Sequence, residues 1–167
     1  MSLAGQRIQS DRYMVVPRTL TFLLRDDHLL LIRLSDARGS WAGLHNGIGG
    51  HIEKGEDPLT SARREVLEET GIAAGDLRLC GVMIVDVGSS PGIGLYVVVG
   101  RADSHPLSST DEGIPLWVPL ASVQDLPLVH DLPIVLPRAL EAYRTGISFS
   151  AITSYDTNGE MRLRFAP

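Results

Sequence analysis

The sequence predicts a mixed α/β (α+β) fold, with a mixed β-sheet between helices. Three observations lead there. Apolar, β-favouring runs of strand length recur at 18–24, 28–34, 77–87 and 93–101. Two segments with helical apolar spacing, 57–70 and 131–146, interrupt and follow those runs. The 167 residues, 44% of them hydrophobic and 21% charged, suffice to bury one ordinary core without staples. One domain over 1–167 is expected, with 1–16 as an N-terminal extension.

The first two runs are joined by Arg25-Asp26-Asp27, which suits a hairpin turn. A polar, glycine-containing loop (35–44) follows, then a short strand around 47–52. In the first helix Leu59, Ala62 and Val66 share a face. Asp57 is placed to cap its N-terminus, Pro58 suits the first helical position, and Gly71 can close it in the left-handed conformation. Ile72 supplies the apolar contact that accompanies such an ending. The long runs 77–87 and 93–101 are separated by a turn at 88–92, and a polar loop (103–113) leads to a short strand at 114–118. Asp131, Pro133 and Gly146 bracket the second helix. The tail (148–167) reads as a hairpin turning at Asn158-Gly159.

Composition excludes several classes. A formal net charge of −5 with no basic stripe argues against a nucleic-acid polymer as partner. No apolar run approaches the roughly 18 residues that span a bilayer, and 1–13 lacks a signal-peptide core. The lone cysteine, Cys80, lies in an apolar run and supports neither disulfide nor zinc, so a reducing, cytoplasmic setting is expected. The partner expected is a small anionic molecule, and the protein a monomer or homodimer.

The chemistry concentrates between Gly50 and Ile72. Glu65, Glu68 and Glu69 stand three and four apart on one side of a helix, where like charges repel. They also lie near its C-terminus, where the dipole disfavours anions. Arg64, able to pair with Glu68 or to reach back to Glu56, cannot neutralise all four carboxylates even with Arg63 beside it. Oxygen ligands without histidine or thiolate suit Mg²⁺, with Mn²⁺ as a substitute, and such a site keeps positions open for phosphate.

Gly50, Glu56, Arg64, Glu65, Glu68, Glu69 and Gly71, with apolar Val66 and Ile72, match the Nudix box at every specified position. The chain therefore resembles the Nudix hydrolase family. The resemblance implies an α/β/α sandwich and metal-dependent hydrolysis of a diphosphate linkage in a nucleotide-like substrate. It implies Glu65 and Glu69 as main metal ligands, Glu68 assisting, and the carbonyl of Gly49 as a further ligand. Arg64 would orient the carboxylates and Glu56 would brace the loop. Glu112, five residues before Trp117, occupies the place of an additional ligand; it is equally placed as an ordinary turn acid. Glu65, Glu68 and Glu112 are the candidate general bases.

The segments 46–50, 111–117 and 126–133 look like the MutT-type branch, which removes oxidised purine nucleoside triphosphates. In that branch residues matching Asn46 and Asp131 read the purine edge. Each has a simpler alternative: Asn46 as a left-handed turn residue, Asp131 as the cap of the second helix. Trp41 and Trp117 are placed to stack on a base, Trp117 also to fill the core. His45, His51 and His130 fall near the same segments without an assigned role, and the chain departs from the branch at His51, where lysine is common. The box itself also serves ADP-ribose, dinucleoside polyphosphates and nucleotide sugars, or a non-catalytic nucleotide sensor.

Overall fold

The computed structural model describes residues 11–103 and 109–167. Parts of the N-terminal extension and of the 103–113 loop lie outside them. β1 (Val15–Arg25) and β2 (His28–Leu34) form the expected hairpin, turning through Asp26 at a φ of 51°. The strand expected around 47–52 sits instead at β3 (His45–Asn46). Then come α1 (Pro58–Thr70), β4 (Asp76–Val85), β5 (Gly92–Arg101), β6 (Gly113–Pro119), α2 (Leu132–Thr145), β7 (Phe149–Tyr155) and β8 (Met161–Phe165). The 35–44 loop carries a 3-10 turn at Asp36–Trp41. Among the described residues no helix is long and apolar enough to cross a membrane.

The sheet order is β3-β2-β1-β5-β4-β7-β8, with β6 along the other edge of β2. It is mixed, because β1 runs parallel to β5 and β4 parallel to β7, while the remaining pairs are antiparallel. The central strands are apolar on both faces. Leu29, Leu31, Val97 and Val99 pack with Leu136 and Ala139 of α2, whereas Leu30, Ile32 and Val98 pack with Ala62 and Val66 of α1. Two cores on opposite faces give the α/β/α sandwich.

One irregularity positions the site. β2 pairs with β1 only over His28–Leu30 and with β3 over Ile32 and Arg33, so the two long strands part company. The glycine-rich 47–52 segment enters the gap. It contacts β1 through isolated bridges, with Thr21 and Ile48 exchanging hydrogen bonds of 2.6 and 3.0 Å and Thr19 donating to the Gly50 carbonyl at 2.9 Å. A Cβ on Gly47 would lie 2.8 Å from the side chains of Leu20 and Phe22, and one on Gly49 would collide with the Thr19 carbonyl. Only bare backbone fits this close, which is why the segment makes bridges rather than a continuous strand.

Candidate active site

The first helix is built as its sequence requires. The Asp57 carboxylate accepts from the Leu59 and Thr60 amides at 2.8 and 3.1 Å, and Gly71 ends the helix at φ 72°, its amide donating to Leu67. Ile72 is buried beneath the turn. This fixes the rotation of α1, placing Ala62 and Val66 in the core and Glu65 and Glu69 beside the glycine-rich segment.

Arg64 organises the acids. Its Nε and Nη2 donate to the two Glu56 oxygens at 2.7 and 2.9 Å. Its Nη1 reaches Glu65 at 2.8 Å and Glu68 at 3.1 Å, and Nη2 also donates to the His51 carbonyl at 2.9 Å. Both pairings anticipated for Arg64 thus occur at once. The guanidinium, with the Glu53 amide at 3.0 Å, holds the Glu56 carboxyl down to about 2. Glu56 therefore ties the loop before α1 to the helix.

Glu69 has no such partner. It is 4% exposed, its Oε1 has no hydrogen bond, and burial, reinforced by Glu112 and Glu65, pushes its carboxyl up to about 8. Glu65 packs its carboxylate against Gly50 so closely that a Cβ there would strike Oε1. Glu112 approaches from the loop before β6, its backbone carbonyl accepting from the Ser35 amide at 2.9 Å, and its carboxylate pairs with Arg38. Among the described residues no three acidic, histidine or cysteine side chains converge as ready-made ligands. The physical reason is that arginines hold three of the carboxylates: Arg64 takes Glu65 and Glu68, and Arg38 takes Glu112. An orphaned, buried carboxyl oxygen facing further acids, in an all-oxygen donor set, fits a hard divalent cation.

A cleft of about 440 Å³ opens beside these acids. Gly49, Glu69, Glu112 and Arg38 line its acidic end. Leu20, Val85, Ile93 and Leu95 form an apolar floor, with Asn46, His130 and Asp131 also in the wall. Glu65 and Glu68 are not part of the lining.

Asn46 and Asp131 differ in geometry from a left-handed turn residue and a side-chain helix cap. Asn46 is not left-handed, since Asp26 alone among the described non-glycine residues has positive φ. Its Oδ1 accepts from the Gly47 amide at 2.9 Å, which leaves the carboxamide NH₂ to donate. Asp131 stands at the cap position of α2 but its side chain caps nothing; burial pushes its carboxyl up. Trp117 packs on the α1-side core with Arg25 5.1 Å over its ring, so it fills structure, whereas Trp41 lines the cleft. His45 is buried, its Nδ1 3.1 Å from the Pro127 carbonyl, and is structural. Arg38 and the apolar floor had no local signal in the sequence.

A sandwich of this topology, with a capped glutamate helix against a glycine-rich loop, defines a class, and comparison with known proteins agrees. The family profile described as NUDIX domain matches residues 14–139, and the chain belongs to that family. It is 36% identical over 107 residues to the oxidized purine nucleoside triphosphate hydrolase of Mus musculus, covering 63% of this chain and 67% of the relative. The Danio rerio protein of the same name is 34% identical over 83 residues, 48% of this chain, which spans about half (52%) of that relative's length. The fold is shared with a mutator MutT protein from Bacillus halodurans, at a TM-score of 0.75 and 21% identity over 92% of this chain and 99% of that one.

Proposed function

We propose that this protein hydrolyses a purine nucleoside triphosphate, oxidised purines included, to the monophosphate and pyrophosphate, with Mg²⁺ or Mn²⁺ as cofactor. The observation that carries the reading is the single cleft joining Asn46 and Asp131 to Gly49, Glu69 and Glu112. A purine fits between the apolar floor and the two polar side chains, and its phosphates reach the acidic end. Asn46 donates through its free NH₂, while the Asp131 carboxylate accepts. Together they complement a guanine-like edge. The names of the mouse and zebrafish relatives point the same way.

Glu69, Glu65, Glu68 and Glu112 with the Gly49 carbonyl are the residues that would hold the cation. The ion supplies neutralisation of the diphosphate oxygens and acidification of the attacking water. The protein's own part is to place and deprotonate. Arg64 keeps Glu65 and Glu68 in position, and Glu56 fixes Arg64 in turn. Of the three candidate bases only Glu112 lines the cleft, and it is the one we assign to accept the water's proton.

The test is product analysis with Mg²⁺ across 8-oxo-dGTP, dGTP, ADP-ribose and diadenosine polyphosphates. The expected result is monophosphate plus pyrophosphate from the purine triphosphates at the highest kcat/KM. A strong preference for ADP-ribose would defeat this substrate assignment and leave the family membership intact. In the same assay Asp131→Asn and Asn46→Ala are expected to raise KM for purine triphosphates by roughly 10-fold, the cost of an unpaired polar edge, with kcat little changed.

A further inference from the structure

The match to the family profile stops at residue 139, yet the chain continues into the β7–β8 hairpin. That hairpin is part of the same sheet. Thr153 pairs with Val85 in parallel register, and the Asp86 amide donates to the Thr153 carbonyl at 2.8 Å. Alternation then decides where the next residues face. Ala151 is buried in the core beneath α2 and Thr153 is buried as well, so Tyr155 continues that face past the end of β4. It arrives where α2 begins, at Asp131.

Two independent features mark this as ligand-facing. Tyr155 and Gly159, in the turn that follows, both line the cleft that holds Asn46 and Asp131. In addition, Trp41, Val87 and Tyr155 are 46%, 47% and 47% exposed, and all three line this one cleft. Large apolar groups gathered exposed at a cleft mouth are left for a ligand to cover. Burial and the neighbouring Asp131 carboxylate push the Tyr155 hydroxyl up, as expected for a ring standing beside that acid.

We propose that the C-terminal hairpin completes the base-binding end of the cleft, with Tyr155 supplying a flat aromatic wall that selects purines over the smaller pyrimidines. The inference rests on the purine-nucleotide reading above. Asp131 reads the edge of the base, Tyr155 covers its face, and the floor of Leu20 and Leu95 lies beneath. Selectivity follows from area, because a purine covers more of an aromatic wall than a pyrimidine does.

The test is equilibrium binding of GMP and CMP to the full-length chain by titration calorimetry. Wild type is expected to bind GMP more tightly than CMP. Tyr155→Ala should weaken GMP roughly 10-fold or more while changing CMP less. Tyr155→Phe keeps the flat face and should stay within about 3-fold of wild type for GMP, whereas Tyr155→Leu, bulky but not flat, should behave like the alanine variant. The ring is half exposed, so each variant is expected to melt within a few degrees of wild type. GMP binding by Tyr155→Ala equal to wild type would overturn the role of the hairpin alone. Wild type that binds no GMP at all would overturn both this proposal and the purine-nucleotide reading.

Discussion

Glu69→Gln is expected to abolish turnover, by roughly 10³-fold or more, and at the same time to stabilise the metal-free protein at alkaline pH. Both effects have one cause. Glu69 is 4% exposed and one of its oxygens has no partner, so the Gly49 amide and the more distant Arg38 compensate its charge only in part. An acid whose folded-state value is raised from 4.5 to about 8 binds its proton more tightly in the folded chain than in the unfolded one. The contribution is fully favourable below the unfolded value and is lost as pH rises through about 8. At pH 8 the penalty is roughly 4 kcal/mol, and glutamine removes the charge that incurs it. A Tm rise of about 10 °C for metal-free Glu69→Gln at pH 8, shrinking towards pH 5, is the expected reading. A buried acid whose removal stabilises the fold is retained for function. Turnover within ten-fold of wild type in this variant would remove Glu69 from the site.

Arg64→Ala is expected to lose both stability and activity. The guanidinium is 28% exposed and serves Glu56 and Glu65, whose side chains are 17% and 13% exposed, together with the His51 carbonyl. Removing it leaves two carboxylates without their cation, and the melting temperature should fall by several degrees. The pair with Glu68, 58% exposed, adds little. Turnover should fall roughly 10²-fold or more, because Glu65 and the loop braced by Glu56 lose their common anchor. Arg64→Lys should recover part of the stability but little of the activity, since a single ammonium cannot engage both Glu56 oxygens while reaching Glu65. Thermal melts beside steady-state kinetics separate the two. A lysine variant with full turnover would show that only the positive charge matters.

What the sequence revealed follows from range. The capped helix and its glutamates are interactions between residues eight or fewer apart, so Asp57, Gly71 and the Arg64 pairings were legible. The two-sided core was legible as unbroken apolar runs, but those same runs concealed the cleft. With Leu20 and Leu95 in strands buried on both faces, no alternation shows which residues form the floor. The shift of the short strand to His45–Asn46 depends on where β1 and β2 diverge, which is a matter of register between strands. Arg38 reaching Glu112 and Tyr155 reaching Asp131 join segments far apart in the chain. The side chain of Asp131 was ambiguous for a different reason, since a capping and a ligand-facing aspartate have the same sequence context.

The proposed function requires the acids around Glu69 to form a divalent-cation site whose charge the protein balances only in part. Titration calorimetry of Mg²⁺ into the metal-free protein, in buffers of different ionisation enthalpy, addresses it directly. The expected result is binding accompanied by proton release near pH 7, affinity that increases from pH 6 to pH 9, and loss of both in Glu69→Gln. Mg²⁺ affinity that is independent of pH and unchanged in Glu69→Gln, or no binding at any pH, would contradict it.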